Sequence, residues 1–260
     1  MNYKSILNLI GLLLAIFSFA FIPPLIVTFI YKEPLSEIFL YSFLFLISLG
    51  VLMWFISRQK GLPLNISDGF IITTMFWIVL ACAGSIPFYF FGLSFNDAIF
   101  ESVSGITTTG ATLIVGLDDL PKSLLLYRQL LQWIGGMGLI ILAVAVMPAL
   151  GIGGSQLYKM ELPGSHGNQK LTPKITDSAK ALWKIYFGLT LACALLYILA
   201  GMDLFDAIAH SLSTVAGGGF STHDKSIGFF DSGLIEAVCI IFMLLSAASF
   251  AVHYAAIFGG

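Results

Sequence analysis

Charged residues are scarce in this chain. Asp, Glu, Lys and Arg together make up 10% of its 260 residues, whereas 58% of the residues are hydrophobic. Soluble globular domains carry about a quarter charged residues, because their surfaces face water. The composition therefore excludes an ordinary soluble domain and predicts a polytopic membrane protein.

Cysteine and histidine are also rare, with three Cys and four His in the whole chain. Cys82, Cys193 and Cys239 lie far apart inside apolar stretches, where a thiol behaves as a small hydrophobic group. Their spacing matches no disulfide framework and no set of metal ligands. The sequence therefore predicts neither kind of site.

Long apolar stretches are abundant, and about 20 apolar residues in helical form cross the hydrocarbon core of a bilayer. We expect six transmembrane helices, at residues 6–31, 38–57, 69–91, 124–147, 181–199 and 234–258.

Two stretches match each other at an offset of 109 residues. Residues 92–112 read GLSFNDAIFESVSGITTTGAT, and residues 201–221 read GMDLFDAIAHSLSTVAGGGFS. Each copy is too short and too polar to cross a bilayer, and each lies between segments that can. We expect each copy to form a short re-entrant helix, at residues 96–106 and 205–215, the first capped by Asn96 or Asp97. An irregular segment follows each helix; we name residues 107–112 the first loop segment and residues 216–222 the second.

Irregular backbone inside a membrane is tolerated only where protein buries it or where it lines a water-filled cavity. A repeated irregular segment is suited to offering backbone carbonyl oxygens to a permeating cation. Glycine permits the dihedral angles that this needs, and the C-terminal ends of the short helices favour a cation. The predicted K⁺-binding filter residues are Thr107, Thr108, Thr109, Gly110, Ala216, Gly217, Gly218 and Gly219.

Charges divide unevenly across this topology. With the N-terminus in the cytoplasm, eight of the twelve Lys and Arg residues fall inside, and eleven of the fourteen acids, Glu101 among them, fall outside or at the outer rim. The basic excess inside matches the positive-inside rule. An acidic mouth would concentrate cations, although acids that merely avoid the cytoplasmic side would give the same pattern. We assign Asp97 and Asp206 to the outer vestibule because they recur.

The repeats divide the chain into four parts. Residues 1–60 form an N-terminal transmembrane hairpin, 61–150 a first helix–pore loop–helix unit, 151–180 a cytoplasmic loop, and 181–260 a second unit. Both units share one orientation, because two spans separate them. The predicted fold class is an all-α polytopic membrane protein with six transmembrane helices and two re-entrant pore helices. These pore helices carry extended filter strands, in parallel repeats like those of a K⁺ channel.

Other polar and small residues have simpler interpretations. We interpret Arg128 mainly as an interfacial anchor at the outer end of the fourth span. The glycines at 135, 136 and 138 favour close helix packing, with a gating kink as the alternative. His223 and Asp224 follow the second loop segment and are expected to shape the outer vestibule.

The segments SVSGITTTGAT and STVAGGGFSTHD, each behind a D-A-I short helix, resemble filter segments of the Trk/Ktr/HKT potassium transporter superfamily. The N-terminal hairpin and the RQLLQWIGGMG run at 128–138 resemble its bacterial TrkH-like type. The resemblance implies potassium uptake across the bacterial inner membrane by a multi-pass subunit with a cytoplasmic N-terminus. It implies no enzymatic activity, K⁺ as the transported ion and no organic cofactor.

The same resemblance implies a membrane homodimer in the lipid bilayer and a cytoplasmic, TrkA-like nucleotide-binding regulatory subunit, with no nucleic-acid partner. Family members place four such units around one pore, with a single glycine per filter at the positions of Gly110 and Gly219. This chain contains two units. We therefore expect it to be a truncated form, the N-terminal half of a longer protein without the third and fourth units.

Two other functions remain as alternatives. Ser104, followed by Gly105, and His253 suggest an intramembrane protease, although a repeated site is expected of a symmetric pore and not of one catalytic centre. A secondary transporter for another solute is the other alternative. Such transporters often contain inverted repeats, whereas these copies run parallel.

Overall fold

The chain folds into α-helices throughout its described part. The computed structural model describes residues 3–58, 66–150, 175–248 and His253, and these contain helices and no β-strand. The predicted cytoplasmic loop at 151–180 lies outside the described residues up to position 174. The α-helices are α1 (Tyr3–Ser18), α2 (Ile22–Tyr31), α3 (Ser36–Ile56), α4 (Ile66–Gly84), α5 (Ile86–Phe91), α6 (Phe95–Ile106), α7 (Lys122–Leu150), α8 (Ile175–Leu199), α9 (Leu204–Ala216) and α10 (Gly233–Ala247).

Four helical stretches in the described residues are long and apolar enough to cross a membrane: Tyr3–Tyr31, Ser36–Ile56, Asp68–Phe91 and Leu182–Leu199. α7 is 29 residues long, and α10 is a shorter apolar helix. The first stretch contains a 3₁₀ turn at Phe19–Phe21, immediately before Pro23 and Pro24 in the first turn of α2. Proline is tolerated there because the first helical N–H groups lack intrahelical acceptors. The prediction of an all-α fold is therefore confirmed, and several of the helices have the length and composition of membrane spans.

Glycines bring α1 and α3 into close contact. An ideal Cβ on Gly11 would lie 2.7 Å from the Trp54 nitrogen, and one on Gly50 would lie 2.6 Å from the Ala15 nitrogen. The Asn8 side chain donates to the Trp54 carbonyl oxygen at 2.9 Å across the same contact. Small residues thus let the two backbones touch, which is the usual basis of tight helix packing in membranes.

α7 occupies the centre of the fold and packs against α2, α4, α6, α8 and α9. Its N-terminus is held by Glu33, whose carboxylate accepts from the backbone N–H groups of Lys122 (2.7 Å) and Ser123 (3.1 Å). A carboxylate at this position satisfies free N–H donors and complements the helix dipole. One turn further on, the buried Tyr127 hydroxyl donates to the Gly84 carbonyl oxygen at 2.7 Å. These contacts fix the position of α7 for the site described below.

Replacing Gly50 with valine should destabilise the fold, because the new side chain would collide with the backbone of α1. Overpacking of this kind costs about 1–3 kcal/mol, so the thermal-unfolding midpoint of the full-length protein in detergent should fall. Gly188→Val is the matched control. Gly188 also lies in a helix, so valine has the same low helix propensity there, but a side chain at this position would meet open space. Equal falls in the two midpoints would contradict the prediction.

Candidate functional site

The two short helices begin in the same way. The Ser94 hydroxyl accepts from the Asp97 N–H (3.2 Å) at the start of α6, and the Asp203 carboxylate accepts from the Asp206 N–H (3.1 Å) at the start of α9. Both pairs are related by the 109-residue offset. The prediction that Asn96 or Asp97 caps α6 is wrong, because Asp97 is its third residue and accepts from the Ser94 hydroxyl (2.7 Å).

The backbone of both loop segments follows the same alternation. Thr108 (φ 55°) and Gly110 (φ 77°) are left-handed, as are their counterparts Gly217 (φ 67°) and Gly219 (φ 81°). Non-glycine residues adopt positive φ rarely, so Thr108 marks a constrained position. In a β-strand, successive carbonyl groups point to opposite sides. A left-handed residue at every second position breaks this alternation, so neither loop segment forms a β-strand.

Hydrogen bonding in the loop segments is one-sided. The Thr109 N–H donates to the Ser104 carbonyl oxygen (2.9 Å), and its counterpart, the Gly218 N–H, donates to Ser213 (3.0 Å). Within the described residues, no donor reaches the carbonyl oxygens of residues 107–110 or 216–219. These oxygens are strong acceptors that need water or a ligand. The arrangement is chemically suited to holding a dehydrated cation.

The structure brings together the central glycines of the two loop segments. An ideal Cβ on Gly110 would lie 1.9 Å from the Gly218 carbonyl oxygen. Thr107 is the C-cap residue of α6. Its hydroxyl donates to the Val103 carbonyl oxygen (2.7 Å) and lies 2.8 Å from the Thr109 hydroxyl. Ala216 was expected in the irregular backbone but forms the last residue of α9, since the helix continues one residue further before Gly217 caps it.

A buried ion pair lies behind both loop segments. The Arg128 Nε donates to Glu101 Oε1 at 2.8 Å, and both side chains are fully buried. Arg128 also donates to the Thr112 hydroxyl (3.0 Å) and to the Ser221 carbonyl oxygen (3.1 Å), and its guanidinium lies 4.3 Å from the Phe220 ring centroid. One side chain of α7 therefore contacts both loop segments.

The interpretation of Arg128 as an interfacial anchor is wrong, because its side chain is buried inside the protein against Glu101. A buried charge persists only with a partner and further hydrogen bonds, and these two residues supply each other's partner. A signal was present in the sequence, since ionisable residues within apolar membrane segments are usually functional and paired. The two residues are opposite in sign and lie in segments that the sequence analysis placed next to each other in the membrane.

The second unit places a histidine where the first has a glutamate. His210 is the counterpart of Glu101; its Nε2 bonds to the Ser221 hydroxyl (2.9 Å) and its Nδ1 to the Asp206 carbonyl oxygen (2.9 Å). Ser221 is the counterpart of Thr112, whose hydroxyl donates to Glu101 (2.9 Å). Both units thus fasten the same loop position to the same position on the short helix.

The glycines of α7 pack against the ends of the short helices. An ideal Cβ on Gly135 would lie 1.9 Å from the Ile106 carbonyl oxygen at the end of α6, and one on Gly136 would lie 3.3 Å from the Ala216 Cα at the end of α9. The predicted close helix packing is confirmed for these two glycines. It places both short-helix ends against one stretch of α7.

The loops that follow the two loop segments are joined to each other. His223 hydrogen-bonds through Nδ1 to Asp118 and through Nε2 to Asp206 Oδ2 (3.1 Å). In the opposite direction, the Asp224 carboxylate accepts from the Gly116 N–H (3.1 Å). His223 thus links Asp118, in the loop after the first loop segment, to Asp206 in the first turn of α9.

The hydrogen bond from His223 lowers the pKa of the Asp118 carboxyl below its ordinary value, since it favours the ionised form. A carboxyl with a lowered pKa stabilises the fold above its ordinary pKa, and that stability disappears as the pH falls through the lowered value. The bridge between the loops is therefore expected to weaken in acid.

Comparisons with known proteins identify the family of this chain. A family profile described as "TrkH, cation transport protein" matches residues 35–259. The Trk system potassium uptake protein TrkH of Vibrio parahaemolyticus is 51% identical over 263 residues, which are 100% of this chain and 54% of the relative. TrkG of Escherichia coli, another Trk system potassium uptake protein, is 45% identical over 256 residues, with coverage of 97% and 53%.

A solved structure is also similar. The crystal structure of the potassium transporter TrkH from Vibrio parahaemolyticus matches with a TM-score of 0.85 at 48% identity, covering 100% of this chain and 53% of that chain. The chain thus spans about half the length of the curated relatives that it matches.

Breaking the buried ion pair on one side should destabilise the protein strongly. Arg128→Met leaves the buried Glu101 carboxylate without a partner, and Glu101→Gln does the same to the Arg128 guanidinium. Each single change should lower the free energy of unfolding by about 3–5 kcal/mol, whereas removing both charges costs less. A double-mutant cycle of unfolding free energies on the full-length protein measures this coupling. Arg58→Met is the control, because Arg58 is exposed and the loss of its cation–π contact, to Trp54 at 5.0 Å, should cost no more than about 1 kcal/mol. Additive single effects would contradict the pairing.

The Asp118→Asn variant should lose part of the acid sensitivity of the fold, because the amide cannot titrate. Its thermal-unfolding midpoint should fall less between about pH 5 and about pH 3 than that of the unmodified protein, as the ordinary aspartate pKa is about 3.9. Asp119→Asn removes a neighbouring exposed carboxylate and serves as the control. The same pH dependence in both variants would rule out a contribution from the bridge.

Proposed function

Because this chain belongs to the TrkH family of cation transport proteins, we propose that it is the N-terminal half of a bacterial Trk-system potassium uptake protein. Its curated relatives carry that name and are about twice its length. Transport is therefore proposed for the full-length protein, in which two further units would complete the ring around the pore.

The observation that carries this proposal is the matched pair of loop segments. Each has left-handed backbone at two alternate residues and N–H groups bonded back to the short helix, and the carbonyl oxygens of residues 107–110 and 216–219 have no donor in the described residues. Uncharged carbonyl oxygens replace the hydration shell of K⁺ and release the ion again. Gly110 and Gly219 occupy the same place in the two copies, as expected of quadrants of one filter. Residues 107–110 and 216–219 are the proposed ion-binding residues.

The proposed membrane arrangement is supported by four described helical stretches that are long and apolar enough to cross a membrane. Six spans and two re-entrant helices (α6 and α9) form a hairpin at 1–60, one unit at 61–150 and another at 181–260. The N-terminus is cytoplasmic, and the loop at 151–180 lies on the same side in the inner membrane. Asp97 and Asp206, near the first residues of α6 and α9, then lie at the outer mouth and attract cations.

The proposed partners follow from the family and the topology. The name "Trk system" of the relatives supports a complex with further components, and we assign these as a cytoplasmic nucleotide-binding subunit and a second copy of the membrane subunit. The basic loop at 151–180 is the proposed contact for the cytoplasmic component, because it is the longest polar stretch on that side.

The other candidate functions have less support. The Ser104 hydroxyl is buried and has no hydrogen-bond partner among the described residues, while the His253 Nε2 bonds to the Leu245 carbonyl oxygen (2.7 Å). An intramembrane serine protease needs a hydrogen bond between such a nucleophile and its base. A secondary transporter would carry another solute in place of K⁺, so measuring which solute the full-length protein carries separates it from the proposal.

Replacing Gly110 with alanine should abolish selective K⁺ uptake. The methyl group would collide with the Gly218 carbonyl oxygen, and the left-handed backbone (φ 77°) disfavours any side chain. The measurement is growth of a K⁺-uptake-deficient bacterium at micromolar K⁺, together with Na⁺ competition, using the full-length gene.

Gly116→Ala is the matched control. Gly116 has the same φ of 77°, lies in the loop that follows the first loop segment, and has open space around it. It should therefore retain K⁺ uptake at the level of the unmodified protein. Unchanged K⁺ selectivity in Gly110→Ala would refute the assignment of the filter.

A further inference from the structure

Gln132 lies directly behind the point where the two loop segments meet. Its side chain is fully buried, one helical turn after Arg128 on α7. An ideal Cβ on Gly218 would lie 2.3 Å from the Gln132 Cδ, and one on Gly110 would lie 3.6 Å from the Gln132 Nε2. The glutamine therefore touches the second loop segment at its central glycine and approaches the first.

The orientation of this amide is fixed by one hydrogen bond. The Phe220 N–H donates to Gln132 Oε1 at 3.0 Å, and because an N–H needs an acceptor, the amide cannot be reversed without losing the bond. The Nε2 has no acceptor among the described residues, although it is buried. Buried donors without acceptors are uncommon and costly. The fold thus tolerates an unpaired amide at this place while the neighbouring filter carbonyls stay free.

Gln132 is neither an ion ligand nor a member of the buried ion pair. Its only polar contact in the described part of the chain is to the backbone just after Gly219, and its bulk fills the space that Gly218 leaves open. The hydrogen bond from the Phe220 N–H to Gln132 holds the second loop segment close to α7, and the contact between Gln132 and Gly218 keeps it from coming closer. Together they limit how far this segment can move relative to α7 and to Gly110.

We propose that Gln132 is a positioning residue that sets the relative placement of the two loop segments and thereby the discrimination between K⁺ and Na⁺. Discrimination by a carbonyl filter depends on the spacing and number of the oxygens that replace the hydration shell. A residue that controls this spacing from behind changes selectivity without contacting the ion. This inference rests on the proposed potassium-uptake function.

The chain offers a closely matched control in Gln129. Gln129 is the same residue type on the same helix and is also fully buried, and its side-chain oxygen and nitrogen make no hydrogen bond in the described residues. Methionine matches glutamine in length and removes the amide at either position. Comparing Gln132→Met with Gln129→Met therefore separates loss of the Phe220 hydrogen bond from loss of a buried amide in general.

The experiment measures K⁺ and Na⁺ flux into proteoliposomes that contain the purified full-length protein. Gln132→Met should lower the K⁺/Na⁺ flux ratio about fivefold, the factor that corresponds to one net hydrogen bond, and Gln129→Met should leave the ratio unchanged. A purely structural role would lower both fluxes together and preserve the ratio. An unchanged ratio in Gln132→Met, or equal changes in both variants, would overturn the inference.

Two further arms keep the result decisive. If Gln132→Met does not fold, Gln132→Asn keeps the amide but withdraws it by one methylene, and its flux ratio decides the matter by the same criterion. If the unmodified protein carries no K⁺, the proposed function itself fails. If Gly110→Ala loses selectivity while both Gln132 variants keep it, the filter assignment stands and the role of Gln132 is wrong.

Discussion

The buried contact between Arg128 and Glu101 is the constraint on which the rest of this site depends. Irregular backbone at membrane depth needs support from protein, and a buried guanidinium needs a carboxylate and further acceptors. Arg128 meets both needs, because it pairs with Glu101 on α6 and donates to Thr112 and to the Ser221 carbonyl oxygen. The observed positions of both loop segments therefore depend on contacts with α7, which also packs against both short helices.

The repeat preserves positions more faithfully than chemistry. Glu101 and His210 occupy equivalent places and fasten equivalent hydroxyl residues, Thr112 and Ser221. The helix that follows in the second unit, α10, contains no arginine, however. With no second arginine, a glutamate in the second unit would be a buried charge without a partner, whereas a histidine can bond to a hydroxyl and a carbonyl without a net charge. The difference between the copies thus follows from having one arginine for two units.

The sequence predicted the periodic and repeated features well. The short helices were expected at 96–106 and 205–215 and are observed at Phe95–Ile106 and Leu204–Ala216, because each is formed by contiguous residues whose pattern recurs in the second copy. The partners of Arg128 and Gln132 were not predicted. Arg128 lies 27 residues from Glu101, and Gln132 lies 88 residues from Phe220, and no local pattern specifies which polar groups meet across such distances. Burial of an arginine depends on tertiary packing.

The same helix also determines how far apart the two units lie. One face of α7 carries residues spaced three and four apart, together with one adjacent residue: Arg128, Gln132, Gly135 and Gly136. Polar side chains at the beginning of this face hold the loop segments, and glycines further along admit the backbone ends of α6 and α9. A side chain at Gly135 would displace Ile106, and through it the first loop segment, from the Arg128 contacts. The geometry of the loop segments and the packing of the short helices therefore both depend on this face of α7, so a change in one is expected to change the other.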